Sequence, residues 1–432
     1  MSRGHGRKAP SDPQSGKPRK HRRLVDVLGP GLVTGAADDD PSGVGTYSQV
    51  GAQFGYGMAW TMFFGFPLLA SIQAICARIG ATTGKGIAQN LRQHYPPALL
   101  RAVVILLLVA NIINLGADLG AMGAALALLL PGPVLLYTAL FGVVCVTLEI
   151  VVSYARYASI LKWATLSLFA YVGVVFAVDV PWREALIGTF VPSFSLTREH
   201  AMALVAVFGT TISPYLFFWQ AGQEVEEQHR RHVKPLMVSP RRAGPELARI
   251  EADTLIGMGF SHLVALFIII ATGATLHTAG IYEIESAAQA AEALRPLAGD
   301  LAFALFALGI IGTGMLAVPI LAGSAAYAVS ETFGWTEGLD RRPREAKAFY
   351  GVIALATAGG VALNLSGIDP MKALYWAAVV NGLLAPPLMV VTMLIARNPS
   401  VMGDLVISRK LAFGGWVSTA VMAVVAVVFL VS

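Results

Sequence analysis

The chain has 432 residues, 56% of them hydrophobic and only 13% charged, with a formal net charge of +5. A soluble protein carries about 25% charge, and the mean hydropathy here is +0.65. A soluble globular domain is therefore excluded, and a polytopic membrane protein is expected. Nothing in the positive charge argues for nucleic acid, because the basic residues cluster at the ends of apolar segments.

Residues 1–23 hold Arg3, Arg7, Lys8, Lys17, Arg19, Lys20, Arg22 and Arg23 among Gly, Pro and Ser. This reads as a disordered basic tail that stays in the cytoplasm. No cleavable signal is read there. Eleven apolar spans follow, near 25–54, 56–79, 98–130, 133–153, 157–179, 198–226, 252–278, 299–330, 346–364, 369–396 and 411–431. With the tail inside, the basic clusters around Arg78–Arg92, Arg156–Lys162, Arg230–Arg249, Arg341–Lys347 and Arg397–Lys410 fall on the inner side. The outer loops carry little positive charge. That alternation predicts an odd number of spans in the inner or plasma membrane. Cys76 and Cys145 lie inside apolar spans and read as inert packing residues.

The first span is interrupted by Asp38-Asp39-Asp40-Pro41-Ser42-Gly43. Counting helically from Leu28, Asp40 lies roughly 18 Å in, near the middle of a ~30 Å hydrocarbon layer. A carboxylate there costs about 2.5–3.5 kcal/mol on an insertion scale. Pro41 removes a backbone donor, and the glycines loosen the helix. A broken helix at that depth is tolerated where it lines a cavity, so an ion or substrate site is expected. The sixth span repeats the device at Gly209-Thr-Thr-Ile-Ser-Pro-Tyr215. Breaks five spans apart make the two halves opposite in topology, the pattern of an inverted five-plus-five repeat. The expected organisation is a tail at 1–23, a core at 24–396 with repeats near 24–179 and 198–396, and a loop with an extra span at 397–432.

Asp40 is the leading ligand, because a carboxylate beside unwound carbonyls makes a hard-cation site. Asp38 and Asp39 are read as supporting acids, as a cation-attracting vestibule, or as partners of a basic side chain on another span. Ser213 and Thr210 offer oxygens at the second break, although both residue types are also common in helix packing. Asn111, Asn114 and Asp118 share one face of the third span, with Asp118 leaning towards function. Asn381 in the tenth span is an extra ligand, a gate or a packing residue. His262 in the seventh is a structural histidine or a proton relay.

With these residues in hand, the chain resembles the Nramp family of divalent metal transporters. The resemblance rests on Gly29-Pro30-Gly31, Asp40-Pro41-Ser42-Gly43, Thr83-Gly84-Lys85, Ser213-Pro214-Tyr215 and Asp369-Pro370. It implies a LeuT-like inverted-repeat fold of about 11 transmembrane helices, all-α, with helices 1 and 6 broken. It carries the family's metal-binding Asp onto Asp40. The family's Asn falls on Gly43, its Met on Ser213 and its His on Tyr215. The expected acidic pair of span three falls on Ala117 and Gly120, leaving Asp118 one place off. Losing the thioether resembles the Nramp-related branch that carries magnesium, since a hydroxyl does not favour soft metals.

The expected function is transport of divalent cations, Mg²⁺ and Mn²⁺ ahead of Fe²⁺, by alternating access, without the family's usual proton coupling. The metal is cargo, and no cofactor or catalytic residue is expected. The competing reading is a sodium- or proton-coupled carrier of a small organic solute on the same fold.

Overall fold

The structure is a computed structural model that describes residues 29–152, 168–195, 197–339 and 341–432. The basic tail, the start of the first span and the first part of the fifth, to residue 167, lie outside the described residues. Among the described residues, nine helical spans are long and apolar enough to cross a bilayer. The first span, as two half-helices, is additional to these.

Those halves are α1 (Pro30–Asp38) and α2 (Pro41–Phe54). Then come α3 (Trp60–Thr83), α4 (Ile87–His94), α5 (Pro97–Ala127), α6 (Val134–Val151), α7 (Phe169–Ala177) and α8 (Trp182–Phe190). The sixth span is again two halves, α9 (Arg198–Thr211) and α10 (Pro214–Arg230). The rest is α11 (Ala243–Thr272), α12 (Ala287–Glu292), α13 (Ala302–Phe333), α14 (Lys347–Leu363), α15 (Pro370–Ala396) and α16 (Arg409–Val431).

Two span starts among the described residues differ most from the sequence expectation. The second span starts at Trp60, because Gly55 ends α2 at φ 57° and a turn follows. The seventh starts nine residues early, at Ala243, because its charged first turns are helical rather than loop. The helix α15 runs straight through Pro386 and Pro387.

Packing follows the two interruptions. The half-helix α1 packs against α10, and α2 against α9, so the broken spans cross antiparallel. Helix α11 backs both α1 and α2, and α5 packs against α13 and α15. The α1–α11 seam is backbone on backbone: a Cβ at Gly35 would stand 2.3 Å from the Gly257 carbonyl oxygen. The outer surface is apolar, with Val143 65%, Leu355 75% and Phe413 73% exposed. Large apolar side chains facing outward are what a lipid solvent requires. Both cysteines are buried and free.

Candidate functional site

Both breaks are built the same way. Asp39 and Asp40 separate α1 from α2, and Ile212 and Ser213 separate α9 from α10. In each case a Pro occupies the first helical position of the second half, where its missing N–H costs nothing. Asp40 is the N-cap of α2, and its Oδ1 accepts from Gly43 N at 2.7 Å and Ser42 Oγ at 2.7 Å. The second break differs in its cap. Ser213 Oγ donates back to the carbonyls of Gly209 (3.0 Å) and Thr210 (2.7 Å) instead of capping α10.

Two further helices, α10 and α5, reach Asp40. Its Oδ2 accepts from Tyr215 Oη at 3.2 Å and from Asn114 Nδ2 at 3.4 Å. Tyr215 Oη also lies 3.2 Å from the Ala37 carbonyl oxygen. Asn381 Nδ2 donates to Asn114 Oδ1 at 3.0 Å. Asp118 Oδ1 accepts from Ser42 N at 3.2 Å, while its Oδ2 is buried without a partner. Ser42 Oγ stands 3.4 Å from Thr210 Oγ1. Ser42 thus links Asp40, Asp118 and Thr210.

Other expected residues lie further off. Asp38 and Asp39 turn towards α11, where Ser261 Oγ donates to Asp38 Oδ2 at 2.7 Å and lies 3.2 Å from Asp39 Oδ1. Asn111 donates to the Leu321 carbonyl on α13 at 3.0 Å, away from the breaks. His262 holds the Met258 carbonyl of its own helix at 3.1 Å and stands edge-on to Phe66. A side chain at Gly43 would be tight: a Cβ would stand 3.1 Å from Asp38 O and 3.3 Å from Tyr47 Cε2.

Three contributors were not among the residues singled out as ligands from sequence: Ser42, Tyr215 and Ser261. The position of Ser42 directly after Asp-Pro, as a first-turn donor, was a usable signal. Tyr215 was marked only as the place of the family's His after the second break, and for Ser261 no local pattern exists.

Asp38, Asp39, Asp40 and Asp118 are at most 2% exposed. The ion pairs of the described residues lie elsewhere, so none of the described Arg or Lys residues balances these four. Buried carboxylates of this kind call for a cation or a proton. The oxygens around them, carboxylate, hydroxyl and amide, are hard donors.

One end of the breaks is latched. Asp253 on α11 caps α1, accepting from Gly29 N (2.8 Å), Gly31 N (2.8 Å) and Leu32 N (3.2 Å). Arg249 bridges Glu224 at 3.1 Å and Glu246 at 2.9 Å beside it. At the other end, a vestibule of about 270 Å³ is lined by Gly45, Gln49, Glu199, Met371, Lys372 and Tyr375.

The family model described as natural resistance-associated macrophage protein-like matches residues 31–432. The chain belongs to the Nramp family. Its Nramp relatives include the divalent metal cation transporters MntH of Deinococcus radiodurans and Klebsiella pneumoniae. Each is 26% identical; the alignments cover 93% and 91% of this chain, and 88% and 91% of the relatives. The fold matches a manganese transporter of Eremococcus coleocola with a TM-score of 0.73 at 16% identity, over 96% of this chain and 88% of that one. It also matches Mhp1, a nucleobase-cation-symport-1 family transporter, with a TM-score of 0.58 at 14% identity, over 94% and 91%. The Nramp fold is therefore the inverted-repeat transporter fold that the two breaks predict. Members of the Nramp family are membrane transporters, and this chain is a multi-pass membrane protein and not an enzyme.

Proposed function

We propose that this protein carries divalent metal cations across the cell membrane by alternating access, taking Mg²⁺ and Mn²⁺ ahead of Fe²⁺. Asp40 and Asp118 bind the ion, with Thr210 and the carbonyls beside Ser213 completing an all-oxygen shell. One observation carries the reading: Asp40 and Asp118 are buried on opposite sides of Ser42 with no basic partner among the described residues. No thioether stands at Ser213 or imidazole at Tyr215 to favour a softer metal. Mg²⁺ binds through one or two carboxylates and keeps several waters, which suits a shell this sparse. The basic tail and the charge alternation of the loops support a cytoplasmic N-terminus. The adjacent acids speak against a carboxylate-bearing organic solute.

The test is uptake into proteoliposomes, with Mg²⁺, Mn²⁺, Cd²⁺ and Ca²⁺ compared and internal pH followed. Mg²⁺ or Mn²⁺ uptake without acidification, abolished by Asp40→Ala in protein that still reconstitutes, is the expected result. No flux of any divalent ion would sink the reading.

A further inference from the structure

We propose that Cys145, Met315 and Glu149 form a second metal site, between α6 and α13, and that it takes a zinc-group dication, Zn²⁺ or Cd²⁺. The site is separate from the two breaks and does not rest on the transport reading. The sulfurs supply the geometry. Cys145 Sγ on α6 lies 3.7 Å from Met315 Sδ on α13. Two sulfurs held about 2.3 Å from one ion, at a tetrahedral angle, stand about 3.8 Å apart, whereas a linear pair needs about 4.6 Å. The two sulfurs are thus already spaced as adjacent corners of a tetrahedral site. Thiolate and thioether select soft and borderline metals over Mg²⁺ and Ca²⁺, which take oxygen.

Glu149 is the second, independent observation. The buried residues of α6 are Thr138, Gly142, Cys145 and Glu149. Their spacing of three and four places them on one face, with Glu149 one turn beyond Cys145. Glu149 is 6% exposed, and neither of its carboxyl oxygens has a hydrogen-bond partner. It lies within electrostatic reach of Cys145. A carboxyl buried in an apolar span with both oxygens unmatched calls for a bound cation or a proton. Thr357 on α14 touches the same face: its methyl would stand 3.6 Å from a Cβ at Gly142, and its hydroxyl too is buried without a partner. That hydroxyl or a water is the fourth ligand.

Charge selects among the soft metals. One thiolate and one carboxylate carry two negative charges, so a dication leaves the site neutral. A Cu⁺ ion would leave one charge uncompensated inside an apolar span, which is costly. The Cys145 thiol proton passes to solvent as the sulfur–metal bond forms. Glu149 stands near the end of α6 at Val151, so the route from the membrane surface is short. Held between two unbroken helices, the ion is a cross-link from α6 to α13 and not cargo.

The test is titration of the purified full chain in detergent with Cd²⁺, followed by the ultraviolet charge-transfer band of a cadmium-bound thiolate. The sequence has two cysteines, Cys76 and Cys145, so the band can be assigned. It is expected to saturate as a single site in the unaltered chain, in Cys76→Ser and in Asp40→Asn. Zn²⁺ should abolish it, and excess Mg²⁺ should not. Cys145→Ser should remove the band. Met315→Leu and Glu149→Gln should each weaken Cd²⁺ binding about 10- to 100-fold. Should Cys145→Ser fail to fold, Met315→Leu decides in its place, since cores tolerate that swap. No band in Cys76→Ser, a band that survives Cys145→Ser, or unchanged affinity in Met315→Leu would overturn the site. Displacement of Cd²⁺ by Mg²⁺ would overturn the choice of ion. The band reads a thiolate and not Asp40, so its failure and a failure of divalent transport are separable.

Discussion

Asp40 holds four donors at once: Ser42 and Gly43 on one oxygen, Tyr215 and Asn114 on the other. An arriving cation must displace the second pair. Tyr215→Phe removes one competitor, and a single hydrogen bond is worth about 0.5–1.5 kcal/mol net. We expect roughly 2- to 10-fold tighter Mn²⁺ binding by calorimetric titration; weaker binding would make the phenol oxygen a ligand. Ser42→Ala loosens the link between Asp40 and Asp118 and should cost about 10- to 100-fold in metal affinity, read by the same titration. Gly43→Asn would restore the family's residue, but its Cβ meets the Asp38 carbonyl oxygen at 3.1 Å. It should destabilise by about 1–3 kcal/mol in thermal unfolding, with no gain in uptake. Asp40 and Pro41 were legible in the sequence because a cap and its proline are neighbours along the chain. The contact from Tyr215 was not, because it depends on how the sixth span crosses the first. Ser261 gave no signal either: one hydroxyl in a long apolar helix carries no period.

Among the elements, α1 is held at its start by the Asp253 carboxylate and flanked by the Arg249 cluster. Arg249 and Glu224 are 10% and 2% exposed as side chains. Removing one partner of a buried pair leaves the other charge uncompensated, at about 3–5 kcal/mol. Arg249→Ala should therefore lower the unfolding midpoint markedly and increase protease access to the α1 end. An unchanged midpoint would make the cluster ornamental. Between α13 and α14, burial together with Glu331 and Glu226 pushes the Glu337 carboxyl up to about 9. In the folded state it keeps its proton over a range in which the unfolded chain, at about 4.3, has released it. Stability from this group is present at low pH and lost as pH rises towards 9. Glu337→Gln should then raise the midpoint at pH 8 and leave it alone at pH 4. The sequence marked that loop only as a basic inner connection, because carboxylates distant along the chain meet there only once α10 and α13 pack.

At the scale of the whole molecule, span number and the two interruptions were readable from apolar length and from Gly and Pro inside it. Helix ends were not, since α11 extends helically through charged turns that hydropathy assigns to a loop. One property of the assembled bundle has an electrical consequence. Four buried acids sit at and beside the first break with no basic side chain to offset them among the described residues. A vacant carrier with these acids ionised moves net negative charge whenever it reorients. An inside-negative potential pushes that charge outward, at about 2.3 kcal/mol per elementary charge per 100 mV. The resetting half of the cycle would then be driven by voltage. Uptake into vesicles clamped with potassium and valinomycin should rise as the interior is made more negative wherever resetting limits the cycle, and Asp118→Asn should flatten that dependence.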